Sequence, residues 1–235
     1  MPPTLPQKIG AMSVHVFTTS GIIAGFYAIV NIAAGDFKTA FWLLLLCQVI
    51  DGIDGTFARI FKVTETLPWM DGKMIDYVVD FCTYAVIPTY LIYQSQVLPP
   101  EVRDACVCLI LLVSGIYYGK SGMVSDDMHF VGFPVMWNFA AFFLVFVHPD
   151  YPWWNAFTVL VLSILHFVPI KFAYPSRKTP FFVLQMSLVG TFTVSVLGIL
   201  WGFPLHAVYW EYAIIGAIAG FLGLAIYTTW FAPTK

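Results

Sequence analysis

Four aspartates interrupt two long apolar stretches of this chain. Residues 37–60 read FKTAFWLLLLCQVIDGIDGTFARI, and residues 72–93 read GKMIDYVVDFCTYAVIPTYLIY. Each stretch is long enough for a helix that crosses a bilayer, which requires about 20 mainly apolar residues. Ionisable groups inside such helices are costly and mark functional sites. The two stretches therefore predict neighbouring transmembrane helices that carry a carboxylate site.

The composition places the rest of the chain in the bilayer as well. Of its 235 residues, 60% are hydrophobic and 10% are charged, and the mean hydropathy is +0.82. Soluble domains are about 45–50% apolar and about 25% charged. The net charge of −2 and the scattered cations exclude a nucleic-acid-binding surface. The four cysteines lie in apolar stretches without the spacing of a zinc site, so we interpret them as packing residues.

Charges, prolines and glycines delimit eight apolar segments. The segments cover residues 12–34, 37–60, 72–93, 103–119, 132–148, 153–172, 180–201 and 207–231. Neither an internal repeat nor a polar linker separates them. We therefore predict a single all-α domain over residues 1–235, a polytopic membrane bundle of about eight transmembrane helices.

Lysines and arginines are distributed asymmetrically about this eight-helix arrangement. With the N-terminus inside, only Lys38 and Arg103 fall on the outer side. The inner side carries Lys8, Arg59, Lys62, Lys73, Lys120, Lys171, Arg177, Lys178 and Lys235. Because Lys and Arg are enriched in cytoplasmic loops, we predict that both termini and residues 61–71 are cytoplasmic.

The four aspartates are spaced so that each pair projects from one face of its helix. Asp51 and Asp54 are three residues apart on the second helix, and Asp76 and Asp80 are four apart on the third. With a rise of about 1.5 Å per residue, Asp54 and Asp76 lie about one turn from the cytoplasmic end, and the other two about one turn deeper. We expect all four to share one pocket near the cytoplasmic face.

Unpaired carboxylates at such close range repel one another, and divalent cations resolve the conflict. Mg²⁺ or Mn²⁺ suits these oxygen ligands, and two ions can clamp a pyrophosphate. Gly55 and Ala58 leave the backbone open to a bulky ligand, and Arg59 is placed to meet a phosphate. Taken singly, each residue has an ordinary alternative. A lone aspartate can relay protons or pair helices, Gly55 and Gly72 can be packing residues, and Arg59 can be a topology signal.

Residues 51–59, DGIDGTFAR, followed by residues 72–80, GKMIDYVVD, resemble the signature of the CDP-alcohol phosphatidyltransferase family. That signature is D-x-x-D-G-x-x-A-R and then G-x-x-x-D-x-x-x-D, and every fixed position is matched. The resemblance implies a membrane enzyme that transfers the phosphatidyl group of CDP-diacylglycerol with the help of Mg²⁺ or Mn²⁺. It also implies a homodimer, since dimers are common in the family.

The resemblance further implies roles for individual residues. Asp51, Asp54 and Asp76 are the principal metal ligands. Asp80, which completes the cluster, is our choice as the general base, because an alcohol near neutral pH must lose its proton to attack phosphorus. Asp76 and Asp80 are thus the catalytic pair of the third helix. The CDP pocket is lined by small residues with an arginine near the phosphates: Gly55, Ala58, Gly72 and Arg59.

Twelve residues, Ile60–Asp71, separate Arg59 from Gly72, a longer spacer than most members of the family have. With Gly52 after the first aspartate and eight predicted spans, this pattern resembles the bacterial branch that joins free choline to CDP-diacylglycerol in the inner membrane and releases CMP. Serine, glycerol phosphate and inositol phosphate are the alternative acceptors, and their anionic groups demand a more basic pocket. A carboxylate-coupled transporter is the alternative from another class. It favours inverted repeats, which the sequence lacks.

Choline recognition requires aromatic faces near Asp80, since a quaternary ammonium ion has no N–H to donate. The candidates are Tyr84, Tyr117, Tyr118 and Trp137, with Asp126 or Asp127 as a compensating charge. Three inner cations are candidates for holding a lipid phosphate: Lys171, Arg177 and Lys178. The five histidines lack ligand spacing, and Glu211 is predicted near the outer face, so no role is assigned to them.

Overall fold

A computed structural model describes residues 2–125, 129–173 and 181–231. The chain divides into two compact units, one formed by Met1–Gln96 with Trp137–Ala141 and the other by Val97–Met136 with Phe142–Lys235. All four aspartates belong to the first unit. The predicted single domain over residues 1–235 stays a prediction.

The first unit is built from long apolar helices joined by short connections. Its elements are α1 (Leu5–Ala33), α2 (Phe37–Ile60), α3 (Val63–Thr66), α4 (Gly72–Asp80), a π-helical turn (Phe81–Val86) and α5 (Ile87–Gln94). The last three form one continuous apolar helix, Gly72–Gln94. A π-helical turn has i→i+5 hydrogen bonds, and such turns occur often at functional sites.

Aspartates cap the two helices that carry the carboxylate site. Asp36 precedes α2 and accepts a hydrogen bond from the Thr39 backbone N–H at 3.0 Å. Asp71 precedes α4 and accepts from the N–H groups of Lys73 and Met74. Each carboxylate satisfies N–H groups that the first helical turn leaves unpaired. The helices thus begin at residues that the sequence itself specifies.

Small residues let α1 lie against α4 and α5. A Cβ added at Gly25 would lie 2.6 Å from Cδ1 of Ile87, and one at Gly21 would lie 3.2 Å from Cγ1 of Val79. Both distances are shorter than the roughly 3.5–4.0 Å of ordinary carbon–carbon contact. Glycine at these positions therefore allows the close approach that surrounds the aspartates with three helices.

The second unit combines helices with a small sheet. Its elements are α6 (Arg103–Tyr118), β1 (His129–Val131), the end of α7 (Trp137–Phe142) with a π-helical turn (Phe143–Val147), α8 (Pro152–Leu165), β2 (Lys171–Ala173), α9 (Phe182–Gly202) and α10 (Tyr209–Trp230). The strands pair antiparallel, with Phe130 opposite Phe172. The Val131 carbonyl also accepts hydrogen bonds from the Lys120 ammonium at 3.0 Å and the Tyr117 hydroxyl at 3.3 Å.

Two of the predicted spans are partly wrong. The helix predicted over residues 153–172 ends at Leu165, because Pro169 has no N–H to continue it. The helix predicted over residues 132–148 begins only at Trp137. Gly132 has a left-handed φ of 91°, and the residue before Pro134 is biased away from the helical conformation. Lys171 and Phe172, predicted as the end of a helix, lie instead in β2 and pair with β1.

Five helices within the described ranges are long and apolar enough to cross a membrane: α1, α2, Gly72–Gln94, α9 and α10. The prediction of a helical, multi-pass membrane protein is thereby confirmed. The other three predicted spans correspond to shorter helices, among them α8 with 14 residues and α6 with 16. Large apolar side chains face outward on the long helices, such as Val49 on α2, 55% exposed, and Val183 on α9, 79% exposed.

Candidate active site

Three of the four aspartates meet between α2 and the start of the third apolar helix. Asp51, Asp76 and Asp80 each offer a carboxylate oxygen, and these oxygens lie within 4.8 Å of one another. All three side chains are half-buried. The i, i+4 spacing on α4 places Asp76 and Asp80 on one face, and that face is turned toward Asp51.

Asp54 lies beside this group, closer to α1. Its side chain is buried, 7% exposed, and the hydroxyl of Thr18 on α1 faces its carboxylate. Asp54 follows Asp51 by three residues on α2, so the two side chains project from the same face. α1 therefore contributes to the acidic site, although its own sequence carries no acidic residue.

The chemistry of these oxygens fits a divalent cation. Oδ1 of Asp80 is buried and has no hydrogen-bond partner in the described residues. Burying a carboxylate oxygen without a compensating partner is costly, and four neighbouring negative charges add repulsion. A hard divalent ion bound by carboxylates removes both costs. Asp51, Asp76 and Asp80 are the residues that can hold such an ion.

Tyr84 reaches the acidic site from the π-helical turn. Its hydroxyl donates a hydrogen bond to Oδ2 of Asp51 at 2.7 Å, and the residue is 6% exposed. The spacing to Asp80 indicated a side chain near this site and suggested an aromatic face for choline. The link across to α2 was not predicted, since it depends on how the two helices pack.

Arg59, which the sequence predicts to meet a phosphate, lies at the exposed end of α2. Its Nη2 donates to the Thr56 hydroxyl at 3.0 Å, and a Cβ added at Gly55 would lie 3.6 Å from its Nη1. The guanidinium therefore folds back over Gly55. Ala58 packs toward an apolar cluster that includes Val14.

His15 of α1, to which the sequence analysis assigned no role, lies beside Gly72 at the start of α4. It is 6% exposed, and its Nε2 is buried without a hydrogen-bond partner in the described residues. A Cβ added at Gly72 would lie 3.1 Å from its Cε1. The available signal was the pair His15 and Thr18, three residues apart and so on one face of an apolar helix.

The remaining predicted site residues are distributed over both units. Trp137 is fully buried in the first unit. In the second unit, Tyr117 is 3% exposed, with the Lys120 ammonium 5.5 Å from its ring centroid. Tyr118 ends α6, and Lys171 begins β2. Four predicted residues lie outside the described ranges: Asp126, Asp127, Arg177 and Lys178.

Three known proteins similar to this chain are all phosphatidylcholine synthases. The chain is 36% identical over 226 residues to phosphatidylcholine synthase of Rhizobium meliloti, covering 95% of this chain and 90% of the relative. It is 36% identical over 189 residues to the phosphatidylcholine synthase of Pseudomonas aeruginosa, covering 80% and 79%. The corresponding enzyme of Brucella melitensis is 38% identical over 175 residues, 74% of this chain and 62% of that protein.

The chain belongs to the phosphatidylcholine synthase family. The predicted branch is thereby confirmed, and the wider CDP-alcohol phosphatidyltransferase family stays a prediction from the motif, since no family model matches the chain. The chain spans less than two thirds of the Brucella melitensis relative and of the Mesorhizobium japonicum relative, 62% and 64%.

Proposed function

We propose that this protein transfers the phosphatidyl group of CDP-diacylglycerol to free choline and releases CMP, as a CDP-alcohol phosphatidyltransferase. The observation that carries the proposal is the meeting of Asp51, Asp76 and Asp80 within 4.8 Å. These are three of the aspartates of the motif, and the family relatives are named for the same product.

The proposed metal ligands are Asp51, Asp76 and Asp80. Asp54, on the same face of α2 as Asp51, is proposed to complete a site for two ions. Mg²⁺ or Mn²⁺ bound there supplies a Lewis acid that polarises the phosphoryl group and offsets negative charge on the leaving phosphate. The aspartates would fix the position of the metal ion. Their partial burial keeps competing water away.

Asp80 is the proposed general base. Its carboxylate takes the proton of the choline hydroxyl as that oxygen attacks the phosphorus that bears diacylglycerol. The new bond joins the choline oxygen to this phosphorus, and the bond from phosphorus to the bridging oxygen breaks. CMP leaves with the bridging oxygen. Asp80 is chosen for this role because it lies one helical turn deeper than Asp76 on α4.

The nucleotide is proposed to lie at the exposed end of α2. The Arg59 guanidinium, which the Thr56 hydroxyl contacts, binds its phosphates there. Gly55 and Ala58 have no bulky side chains that would block the nucleotide, and Gly72 begins the facing helix α4. Lys171, with Arg177 and Lys178, is proposed for a lipid phosphate.

We further propose eight spans, a site on the cytoplasmic side of the bacterial inner membrane, cytoplasmic termini and a homodimer. The cation asymmetry supports the orientation. Choline is proposed to be held by aromatic faces. Of the four predicted candidates, Tyr84, Tyr117 and Trp137 are buried, and Tyr118 is partly exposed.

The test uses the full chain purified in detergent with CDP-diacylglycerol, Mn²⁺ and a panel of acceptors, and it follows CMP release. Choline should support turnover, whereas serine, glycerol 3-phosphate and inositol phosphate should not. Omission of Mn²⁺ in the presence of a chelator should abolish turnover. Equal use of serine and choline, or no use of choline, would refute the proposed acceptor.

A further inference from the structure

Tyr84 is the residue in the first unit that joins the π-helical turn to the acidic site. The residue is 6% exposed, and its hydroxyl donates to Oδ2 of Asp51 at 2.7 Å. A hydrogen bond from a neutral donor to a carboxylate is stronger than one between neutral groups. The ring is enclosed by protein, so it presents little face to a quaternary ammonium ion.

The π-helical turn explains why this hydroxyl reaches the neighbouring helix. Asp80 ends α4, and Phe81–Val86 follow with the wider spacing of a π-helix. In a continuous α-helix, Tyr84 would lie one turn above Asp80 and almost in line with it. The wider turn rotates the residues after Asp80 about the helix axis relative to that position. The Tyr84 hydroxyl contacts α2 at Asp51.

We propose that Tyr84 is a positioning residue for the metal-binding carboxylates, and that it acts through Asp51. The hydroxyl donates to Oδ2 and fixes the rotation of the carboxylate, so that Oδ1 would be the oxygen left to hold an ion. Residues in this position orient the ligands of a metal, and their loss reduces metal affinity by about 10–100-fold. This inference rests on the proposed divalent site and adds a residue that the motif does not contain.

The test is Mn²⁺ binding to the detergent-purified full chain without substrate, followed by electron paramagnetic resonance. Tyr84→Phe removes only the hydroxyl, and it should raise the Kd for Mn²⁺ about 10-fold while the KM for choline stays near the wild-type value. The matched control is Tyr90→Phe. Tyr90 accepts a hydrogen bond from Nε2 of Gln94 at 3.0 Å, so its hydroxyl is bound to another group, and Mn²⁺ affinity should not change.

The outcomes separate this inference from the function it rests on. If the wild-type chain binds no Mn²⁺, the divalent site fails and the role of Tyr84 fails with it. If the wild-type chain and Tyr84→Phe bind Mn²⁺ equally, only the positioning role is overturned. A raised KM for choline with unchanged Mn²⁺ affinity would overturn it in favour of a choline-binding role. Should Tyr84→Phe aggregate in gel filtration, 3-fluorotyrosine at position 84 keeps the ring and the hydroxyl in place. Its more acidic hydroxyl should shift Mn²⁺ affinity, and an unchanged affinity would overturn the proposal.

Discussion

A carboxylate oxygen of Asp80 lies within 4.8 Å of oxygens of Asp51 and Asp76. Its Oδ1 is buried and has no hydrogen-bond partner in the described residues. We expect Asp80→Asn, which keeps the shape and removes the charge, to reduce turnover to below about a hundredth of wild type. General-base catalysis contributes about 10²–10⁴-fold. CMP release measures the loss, and gel filtration measures whether the variant stays folded.

Replacing two members of the acidic site should cost little more than replacing one, because groups that act as a unit are not additive. Asp51→Ala with Asp80→Ala should therefore resemble Asp80→Ala alone. An Asp80→Ala variant that kept more than about a tenth of wild-type turnover would contradict the assignment of the base.

Gly72 could matter for its packing against His15 or for contact with the nucleotide, and substitutions can distinguish these two roles. Gly72→Ala places a methyl group 3.1 Å from Cε1 of His15, and such overpacking costs about 1–3 kcal/mol. We expect a lower Tm and lower CMP release, and recovery of both when His15→Ala makes room. The control is Gly52→Ala, whose Cβ has no neighbour within 4 Å. If the second substitution recovers Tm but not turnover, Gly72 contacts the nucleotide itself.

At the scale of single residues, the helical spacing predicts that the aspartates of each pair share a face, and Asp51, Asp76 and Asp80 meet in the structure. Their role as metal ligands stays a prediction. The hydrogen bond from Tyr84 to Asp51 could not be predicted from the sequence, since the two residues lie 33 positions apart on different helices. His15 was overlooked for a related reason. A lone histidine in an apolar helix gains a meaning only when its neighbour across the interface, here Gly72, is known.

At the scale of elements, the start of α2 gives a prediction about stability and pH. Asp36 is exposed, and two hydrogen bonds from Thr39 lower the pKa of its carboxyl. The bond from the Thr39 side chain has the larger effect, and the bond from its backbone N–H has the smaller one. Asp36→Ala removes an N-cap worth about 1 kcal/mol, so Tm should fall by roughly 2–4 °C at neutral pH. Turnover should be retained.

Because the folded state lowers the pKa of Asp36, the contribution of its charge is complete above the ordinary value of 3.8 and is lost as pH falls through the lowered value. The difference in Tm between wild type and Asp36→Ala should therefore shrink toward the acid end. Asp36→Asn keeps a capping side chain but carries no charge, so its Tm at neutral pH should lie between those of Asp36→Ala and the wild type. A Tm difference for Asp36→Ala that is constant down to the acid limit would contradict the role of the charge.

Helix ends were predicted well where a cap or a charge marks them, as at Phe37 and Gly72, which begin α2 and α4. The prediction failed where apolar residues continue past a break in the backbone. Residues 166–172 are apolar enough to extend α8, but Pro169 ends the helix, and Lys171–Ala173 pair with β1 instead. Hydropathy reports transfer to lipid and carries little information on hydrogen bonding between distant segments.

For the whole molecule, the distribution of lysines and arginines predicts which side of the membrane each end of α2 faces. In a variant without the four native cysteines, Thr64→Cys on α3 should react with an impermeant maleimide in inverted vesicles and not in intact cells. Ala34→Cys, before α2, should react in the opposite way. Both positions are exposed. Labelling of Thr64→Cys from the periplasm would reverse the orientation.

Apolar side chains such as Val49 and Val183 are exposed on the long helices. In a membrane, lipid acyl chains surround these side chains as water surrounds a soluble protein. The proposed donor substrate dissolves in that same layer, whereas choline arrives from water. For CDP-diacylglycerol, the quantity that sets the rate of encounter is its share of the lipid or detergent molecules around the protein, and not its amount per litre. Extra detergent at constant total CDP-diacylglycerol lowers this share and should therefore slow the reaction. The apparent KM for choline, which is dissolved in water, should stay unchanged.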